Sequence, residues 1–562
     1  MQQTQTLAPG APIPVPPEFP VQWSRPDDPQ QFWEHDRMHF PEALTPMDGA
    51  VIVRLGAGFT FGARAYELPL DEVRMTVING WQYQAIVPKL LPPEEMEELG
   101  RRAEANLMGA IGRLGSLWED DLLPEIREHL AWWAAFDLAG SSEADLAAHL
   151  RETWRRLGRL WELHFLTVLP SYIAVSEFDE MCRALFEGSA LLDSMRMLGG
   201  FDSLTVRGDQ GLWRLSRKAL TAPEVQDVLE RRAAHEVPAA LEETGPGRDF
   251  LDALGKHLDE FGQRGHGVNL SSPSWIEDPT PAIKVIKDLM GRPDGEAPAI
   301  ATREKADERE AAIAAARETL QGYPAPVREQ FEGMLAAAQV GAVITEDHAY
   351  YIDFCGGYRV RCVLMECGRR LALADALSRP DDVFFLEPVE LEEAMASPGM
   401  ADMRELVALR RTELEQQRAM DVPRHLGTLP PGPPPDSPIG RFIGKFFGVP
   451  PAPPQAPGEL RGAPGSAGVV RGRARVIRSL AEAERLASGE VLVTETTSPP
   501  WTPLFGVAAA IVTDTGGALS HCAVVAREYG IPAVVGTDVA TSAIPDGAEI
   551  EVDGTAGIVR LV

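Results

Sequence analysis

Hydrophobic and polar positions follow two periodicities along the chain. Residues 94–240 are rich in Ala, Leu, Glu and Arg, with apolar residues at helical three- and four-residue spacing, which predicts helices. The charged run TREKADEREAAIAAARETLQ (302–321) predicts a solvated helix. Within residues 50–90, three short apolar runs predict strands: AVIVRLG, RMTVI and QYQAIVP.

After Gly458 the pattern changes to short alternating runs. Strands are predicted in GVVRGRARVI (468–477), EVLVTET, AAAIVTD, PAVVG and EIEVDGTAGIVRLV. Between the third and fourth runs, Ser520 is a good N-cap for a helix over 521–529. Gly530 ends that helix and Pro532 prevents its continuation. The pattern predicts a compact α/β unit over residues 458–562.

A proline-rich segment precedes this unit. Residues 430–457 contain 11 prolines in 28 positions. Proline fixes φ and cannot donate a backbone hydrogen bond, so the segment is predicted to be neither helix nor inner strand but an extended, semi-rigid spacer. The apolar island IGRFIGKFFGV within it is expected to dock on a neighbouring surface.

Composition narrows the class of protein. The 562 residues carry a formal net charge of −30, which disfavours binding to nucleic acid or to an anionic membrane. No secretion signal and no membrane-spanning run is apparent, so a soluble cytoplasmic protein is expected. The cysteines are few and odd in number, which favours a reducing compartment: Cys182, Cys355, Cys362, Cys367 and Cys522. Cys362 and Cys367 lack a matching second pair, so no zinc or other metal site is expected.

His521 lies where chemistry is plausible. It occupies the first turn of the predicted helix 521–529, directly after a glycine-rich turn. Unpaired N–H groups and the helix dipole favour an anion there, and a neutral imidazole is a nucleophile toward phosphorus. The spacing alone leaves a capped helix with an incidental histidine equally open.

The motif TDTGGALSHCAVVAREYGIPAVVG (513–536) closely resembles the phosphohistidine swivelling domain of the phosphoenolpyruvate-utilising enzymes. That family includes phosphoenolpyruvate synthase, pyruvate phosphate dikinase, rifampicin phosphotransferase and phenylphosphate synthase. The resemblance implies that His521 carries the phosphoryl group; Cys522 replaces the usual alanine. The resemblance also implies that five further residues form the phosphohistidine loop: Thr515, Gly516, Gly517, Ser520 and Arg527.

The resemblance also implies an architecture. It gives a mostly α-helical (α+β) acceptor-binding region over 1–428, a linker over 429–457 and an α/β swivelling domain over 458–562, with the linker as a tether. No pyruvate barrel follows the swivelling domain, so pyruvate is disfavoured as acceptor. No phosphate loop was recognised in residues 1–300, so a separate ATP-grasp subunit is expected to bind ATP and Mg²⁺, with no cofactor held tightly by this chain.

Weaker fragments before the linker resemble the rifampicin phosphotransferase and phenylphosphate synthase branch. They suggest charge-neutralising arginines and a base for the acceptor hydroxyl, because phosphoryl transfer needs both. Each could equally be an ordinary structural residue. The candidates are Arg264, His266, Glu346, Asp347, His348, Arg359, Arg361, Arg410 and Arg411.

Tryptophan-rich helices (Trp132, Trp133, Trp154 and Trp161) suit an apolar acceptor, although a core face, on which His164 also lies, is the simpler interpretation. The favoured function is the acceptor-binding and phosphocarrier subunit of a split ATP-dependent dikinase-type phosphotransferase that acts on a phenol or alcohol. A rifampicin-like antibiotic phosphotransferase and a non-catalytic phosphocarrier or regulatory subunit remain alternatives.

Overall fold

The computed structural model of the chain describes residues 8–186, 191–265, 269–430, 432, 437–497 and 501–562. Within them the strands are β1 Phe32–His35, β2 Leu70–Ile78, β3 Trp81–Pro88, β4 His425–Gly427, β5 Glu459–Arg461, β6 Ala463–Ser466, β7 Val469–Val476, β8 Val491–Thr494, β9 Ala510–Thr513, β10 Ala533–Val535, β11 Glu549–Asp553 and β12 Ile558–Leu561.

Helices dominate the chain before the linker. The α-helices are α1 Pro46–Ala65, α2 Pro93–Ile111, α3 Leu114–Ser116, α4 Leu123–Ala135, α5 Glu143–Leu185, α6 Leu191–Met195, α7 Leu204–Leu220, α8 Pro223–Arg231, α9 Val237–Leu241, α10 Gly245–Phe261, α11 Thr280–Met290, α12 Pro298–Leu320, α13 Ala325–His348, α14 Gly357–Leu373, α15 Pro388–Ala396, α16 Arg404–Arg418, α17 Pro438–Phe447, α18 Thr502–Phe505, α19 His521–Tyr529 and α20 Ala540–Ala543. This confirms the multidomain, mostly helical class with an α/β unit at the end.

The chain divides into two compact units, each made of several segments of the chain. The first unit comprises Met1–Pro170, Val268–Ser272 and Tyr351–Asp436; the second comprises Ser171–Gly267, Pro273–Tyr350 and Ser437–Val562. The swivelling domain therefore shares one unit with part of the region predicted as a single acceptor domain, because α19 packs on the helical part of that unit, including α12.

The first unit contains a small antiparallel sheet in the order β2-β3-β1-β4, with α1 packed on β2. The run AVIVRLG was predicted as a strand and lies instead in α1. Thr45 caps this helix by accepting a hydrogen bond from the Asp48 N–H at 3.2 Å, and Pro46 occupies its first turn. Burial of Val51, Ile52 and Leu55 follows the helical period.

The second unit contains an eight-stranded sheet in the order β5-β12-β11-β7-β8-β9-β10-β6. Its centre, β7 to β10, is parallel, and the outer pairs are antiparallel. Each predicted terminal strand is present, and EIEVDGTAGIVRLV forms the hairpin β11–β12. One face of the sheet packs its apolar residues against α19, and the other buries a cluster that includes Val491, Val512 and Ile550.

The prediction that residues 430–457 contain no helix was wrong. Helix α17 occupies Pro438–Phe447, the apolar island of this segment. Pro438 stands in the first helical turn, where its missing N–H costs nothing, and the next proline is Pro450. The Ser437 side chain caps the helix by accepting from the Gly440 N–H at 3.2 Å.

Candidate functional site: a histidine at a helix N-terminus

His521 is the first residue of α19, as the sequence predicted. Ser520 is the extended N-cap residue, and Gly530 ends the helix in the left-handed conformation at φ 66°. The loop 514–520 leaves the carboxyl end of β9, beside the segment that leaves β8. Carboxyl ends of parallel strands are the usual ligand-binding edge of an α/β sheet, and His521 therefore lies at that edge.

Hydrogen bonds fix the loop before His521. Asp514 accepts from the N–H of Thr541 at 2.9 Å and from its hydroxyl at 2.5 Å. Thr515 donates its N–H and its hydroxyl to the carbonyl of Glu495, both at 3.0 Å. Gly516 adopts φ 92°, which favours glycine. The loop is thus tied to helix α20 and to the segment that leaves β8.

Arg527 connects the loop to strand β6. Its Nη1 donates to the carbonyl oxygens of Gly465 at 2.8 Å and Ala518 at 2.9 Å. Burial lowers the pKa of Arg527 to about 10, which still leaves it charged at neutral pH. Arg527 therefore fixes the loop backbone through these two hydrogen bonds.

The surroundings of His521 are mostly apolar. The Phe505 ring meets the imidazole edge to face, with ring centroids 6.2 Å apart. Cys522 is buried, and burial raises the pKa of its thiol to about 12, so it remains a neutral, unreactive neighbour. The Ser520 hydroxyl is buried and has no hydrogen-bond partner among the described residues. The first-turn N–H groups and this hydroxyl form a donor set suited to an anion.

Helix α17 braces the same loop, a role that the sequence analysis missed. The N–H of Gly517 donates to the carbonyl of Phe446 at 2.7 Å, and the N–H of Leu519 donates to that of Lys445 at 2.8 Å. The Lys445 ammonium lies 2.7 Å from Asp179 and from Glu180 on α5. The predicted docking of the island is confirmed, and its target includes the loop that carries His521.

The predicted base candidates of the second unit lie in structural contacts. Asp347 accepts from the Leu204 N–H at 2.9 Å, and Glu346 accepts from the Thr205 hydroxyl at 3.1 Å. The Nδ1 atom of buried His348 lies 3.0 Å from the carbonyl of Ile344 in its own helix. His266 lies outside the described residues.

The predicted arginines are likewise engaged. Arg264 is buried in the second unit, stacked on Trp275 at 5.0 Å. In the first unit, Arg361 donates to the Leu270 carbonyl at 2.6 Å, and Arg359 lies over the Tyr358 ring at 5.9 Å. Two ion pairs complete the set: Arg410 with Glu390 at 2.5 Å and Arg411 with Asp382 at 2.6 Å.

A cleft of about 390 Å³ opens in the first unit between α1, the sheet and α16. Its walls mix apolar and polar groups. The apolar lining is Leu44, Pro46, Ala50, Val53, Val77 and Leu414, and the polar lining is Thr45, Glu387, Arg410, Glu413 and Gln417. Burial raises the pKa of Glu387, although Arg410 opposes the shift. The tryptophans do not line this cleft; Trp133, Trp154 and Trp161 are buried, which favours the core interpretation.

A parallel α/β unit with a histidine at a helix N-terminus, on a braced glycine-rich loop, has the design of a phosphohistidine carrier domain. Comparison with protein families supports a phosphohistidine carrier domain. Residues 486–557 match the mobile domain of PEP-utilising enzymes, and residues 164–346 match the fourth domain of rifampicin phosphotransferase.

Curated relatives extend the similarity. Chondramide synthase of Chondromyces crocatus is 38% identical over 99% of this chain and 14% of its own length. An uncharacterised phosphotransferase of Bacillus subtilis is 30% identical over 72% of this chain, and rifampicin phosphotransferase of Streptomyces sviceus is 32% identical over 64%. The matches cover 47% and 40% of those two proteins, so the chain corresponds to less than half of each.

These similarities support the family of PEP-utilising enzymes, in the branch that contains rifampicin phosphotransferase. The resemblance read from the motif around His521 is confirmed. Among the described residues, no helix combines the length and hydropathy needed to cross a bilayer.

Proposed function

We propose that the chain is the phosphocarrier and acceptor-binding part of a phosphotransferase, with His521 as the residue that is phosphorylated. The observation that carries the proposal is the position of His521 in the first turn of α19, with the buried Ser520 hydroxyl beside it. A phosphoryl group on the imidazole would place its oxygens near the first-turn N–H groups, where the helix dipole stabilises negative charge.

The phosphoryl donor in this proposal is ATP. An ATP-grasp module outside the described residues, on a separate subunit, would bind ATP with Mg²⁺ and phosphorylate His521. Family analogy gives AMP and phosphate as the other products. This chain would contribute a neutral imidazole, and Arg527 would hold the loop in place during attack.

The acceptor in this proposal is a small organic molecule with a phenol or alcohol hydroxyl. The cleft of the first unit supports it, because apolar residues there adjoin a carboxylate and a guanidinium that could bind a hydroxyl group. Rifampicin is the second candidate, since relatives that match more than half of the chain are named rifampicin phosphotransferase.

Labelling tests the carrier role. The purified chain would be incubated with ATP labelled at its β-phosphate, with and without extract of the source cells, beside the His521→Ala variant. His425→Ala serves as matched control, because His425 is also partly exposed but lies in the first unit. We expect acid-labile, base-stable label on the wild type and on His425→Ala only when extract is present.

Three other labelling results would each contradict one part of the proposed function. Label on His521→Ala equal to that on the wild type would contradict the carrier role. Label on the pure chain would contradict the separate donor subunit. Stable label that no phenol, alcohol or rifampicin removes would favour a regulatory phosphocarrier over an acceptor-binding enzyme.

A further inference from the structure

The cleft of the first unit has more negative than positive charge. Its charged lining residues are Glu387, Arg410 and Glu413. Glu390 pairs with Arg410: its Oε2 accepts from Nη1 of the guanidinium at 2.5 Å, and its Oε1 accepts from Nη2 at 2.9 Å. All three carboxylates raise the pKa of Arg410, so they lie close enough to act on its charge. Three negative charges thus surround one positive charge.

Arg410 is engaged by groups outside the cleft. Besides the pair with Glu390, its Nη1 donates to the carbonyl oxygen of Phe385 at 2.8 Å. Neither Glu390 nor Phe385 is among the described residues that line the cleft. Glu390 therefore neutralises the guanidinium, and the charges of Glu387 and Glu413 are left to act on a bound molecule.

The two remaining carboxylates differ in their surroundings. Glu387 is half-buried at the N-cap of α15, and burial raises its pKa although the Arg410 charge opposes the shift. Glu413 is exposed on α16, where water and salt screen its charge. A cation beside Glu387 would compensate for the hydration that this carboxylate loses through burial. Glu387 is therefore the stronger of the two groups toward a cationic ligand.

The helix ends at the cleft do not set the sign of its charge. Thr45 and Pro46 lie at the start of α1, where the helix dipole favours negative charge. Leu414 and Gln417 lie in the last two turns of α16, where the dipole favours positive charge. These two dipoles oppose each other, so the carboxylates decide the sign of the local field.

The remaining lining gives room for an apolar body beside this charge. The volume of about 390 Å³ is more than twice that of a cavity of about 150 Å³ that holds benzene. Val53 lines the cleft and is 58% exposed, so an apolar ligand there would cover surface that now faces water. An aromatic ring with a short charged chain matches both the size and the lining.

We propose that the cleft binds an acceptor that carries a cationic amine in addition to its hydroxyl group, with Glu387 as the residue that selects the cation. The inference rests on the proposed function, in which this cleft takes the acceptor. An ammonium group donates charge-assisted hydrogen bonds to a carboxylate, whereas an acidic ligand would meet like charge. The substrate class is thus a phenol or alcohol with an aliphatic amine.

Three phenols that differ in the charge of one chain test this selection. Tyramine carries an ammonium group, 4-ethylphenol is neutral, and 3-(4-hydroxyphenyl)propionate carries a carboxylate. Their dissociation constants for the full chain are measured by ligand-observed NMR titration at low ionic strength. We expect tyramine to bind about 10-fold more tightly than 4-ethylphenol, and the propionate to bind most weakly.

Substitutions assign the selection to a residue. Glu387→Gln keeps the shape of the side chain but removes its charge, and we expect tyramine to bind about 10-fold more weakly while 4-ethylphenol changes less than about twofold. Glu393→Gln is the matched control, because Glu393 is exposed on the same helix and is not among the described lining residues. It should leave all three constants unaltered, and equal thermal midpoints would show that both variants are folded.

Val53→Trp assigns the binding to this cleft. The larger side chain fills the cleft from an exposed position, and we expect it to weaken binding of all three phenols at least 10-fold. Because the change is steric, it should not alter the order of the three affinities.

The results that overturn the inference differ from those that overturn the proposed function. Equal affinity for tyramine and the propionate, or a Glu387→Gln variant that binds tyramine as the control does, would exclude selection by Glu387 and leave the acceptor site intact. Failure of all three phenols to bind, or unchanged binding to Val53→Trp, would contradict the cleft as the acceptor site, and the inference would fail with it.

Discussion

At the scale of single residues, His521 depends on neighbours that do no chemistry. Arg527 holds the Ala518 carbonyl two residues before the N-cap, and Cys522 packs as a neutral side chain. The family motif identified both positions, but it could not show that Arg527 binds the backbone. That contact depends on β6, which brings the Gly465 carbonyl oxygen to 2.8 Å from Nη1 of Arg527.

Arg527→Met tests this support. The variant leaves the carbonyls of Gly465 and Ala518 without their charged donor, and we expect the second unit to lose about 2 kcal/mol of stability in urea unfolding. Arg471→Met is the control, because Arg471 is 68% exposed and pairs with Glu551 at the surface. An Arg527→Met midpoint equal to that of the control would contradict the bracing role.

At the scale of elements, α17 changes the meaning of the linker. Residues expected to tether the domain and to dock on a neighbouring surface also supply two backbone acceptors to the phosphohistidine loop. The helix is also held on α5, where the Arg441 guanidinium lies 2.8 Å from Glu177. Movement of the swivelling domain therefore requires either that α17 travels with it or that these contacts break.

Gly517→Ala tests the contact between α17 and the loop. A Cβ at this position would lie 2.2 Å from the Lys445 carbonyl oxygen, and backbone cannot give way cheaply. We expect faster amide hydrogen exchange over 438–447 and a loss of about 2 kcal/mol. Gly333→Ala, in α13 with nothing within 4 Å of the new Cβ, should be neutral or stabilising. Unchanged exchange over α17 in Gly517→Ala would exclude the brace.

At the scale of the molecule, a group of buried carboxylates lies where α19 packs on the helices of the second unit. Tyr529 donates its hydroxyl to Asp209 of α7, and Glu528 accepts from the Gly200 N–H at 3.4 Å. Burial raises the pKa of Glu346 to about 7, and the nearby charges of Glu528, Asp347 and Asp209 add to the shift. Burial thus disfavours the charged form of these carboxylates at an internal contact.

Glu346→Gln tests the consequence for stability. A carboxyl whose folded pKa is raised binds more protons in the folded state, so its contribution to stability is complete below about pH 4.5 and is lost as pH rises toward 7. We expect the variant to gain about 2 °C or more in thermal midpoint at pH 8 and little at pH 4.5. Glu329→Gln, an exposed change in the same helix, should leave the pH dependence of the thermal midpoint as in the wild type. If Glu346→Gln also left that pH dependence unchanged, the argument would be refuted.

The sequence by itself determined the local parts of this protein. Helix 521–529, its cap and its left-handed end follow from short-range rules, because Ser520, Gly530 and Pro532 act within one or two turns. The central strands follow from their short apolar runs, and the motif around His521 identified the family.

Tertiary contacts decided the rest. AVIVRLG became helix because Thr45 and Pro46 start α1 and its apolar face packs on β2, which outweighs strand propensity. Arg361 is engaged by a carbonyl, and Arg410 and Arg411 by carboxylates, that lie 20 or more residues away along the chain. Charge, exposure and pairing depend on which segments meet, and periodicity along the chain carries no information about that.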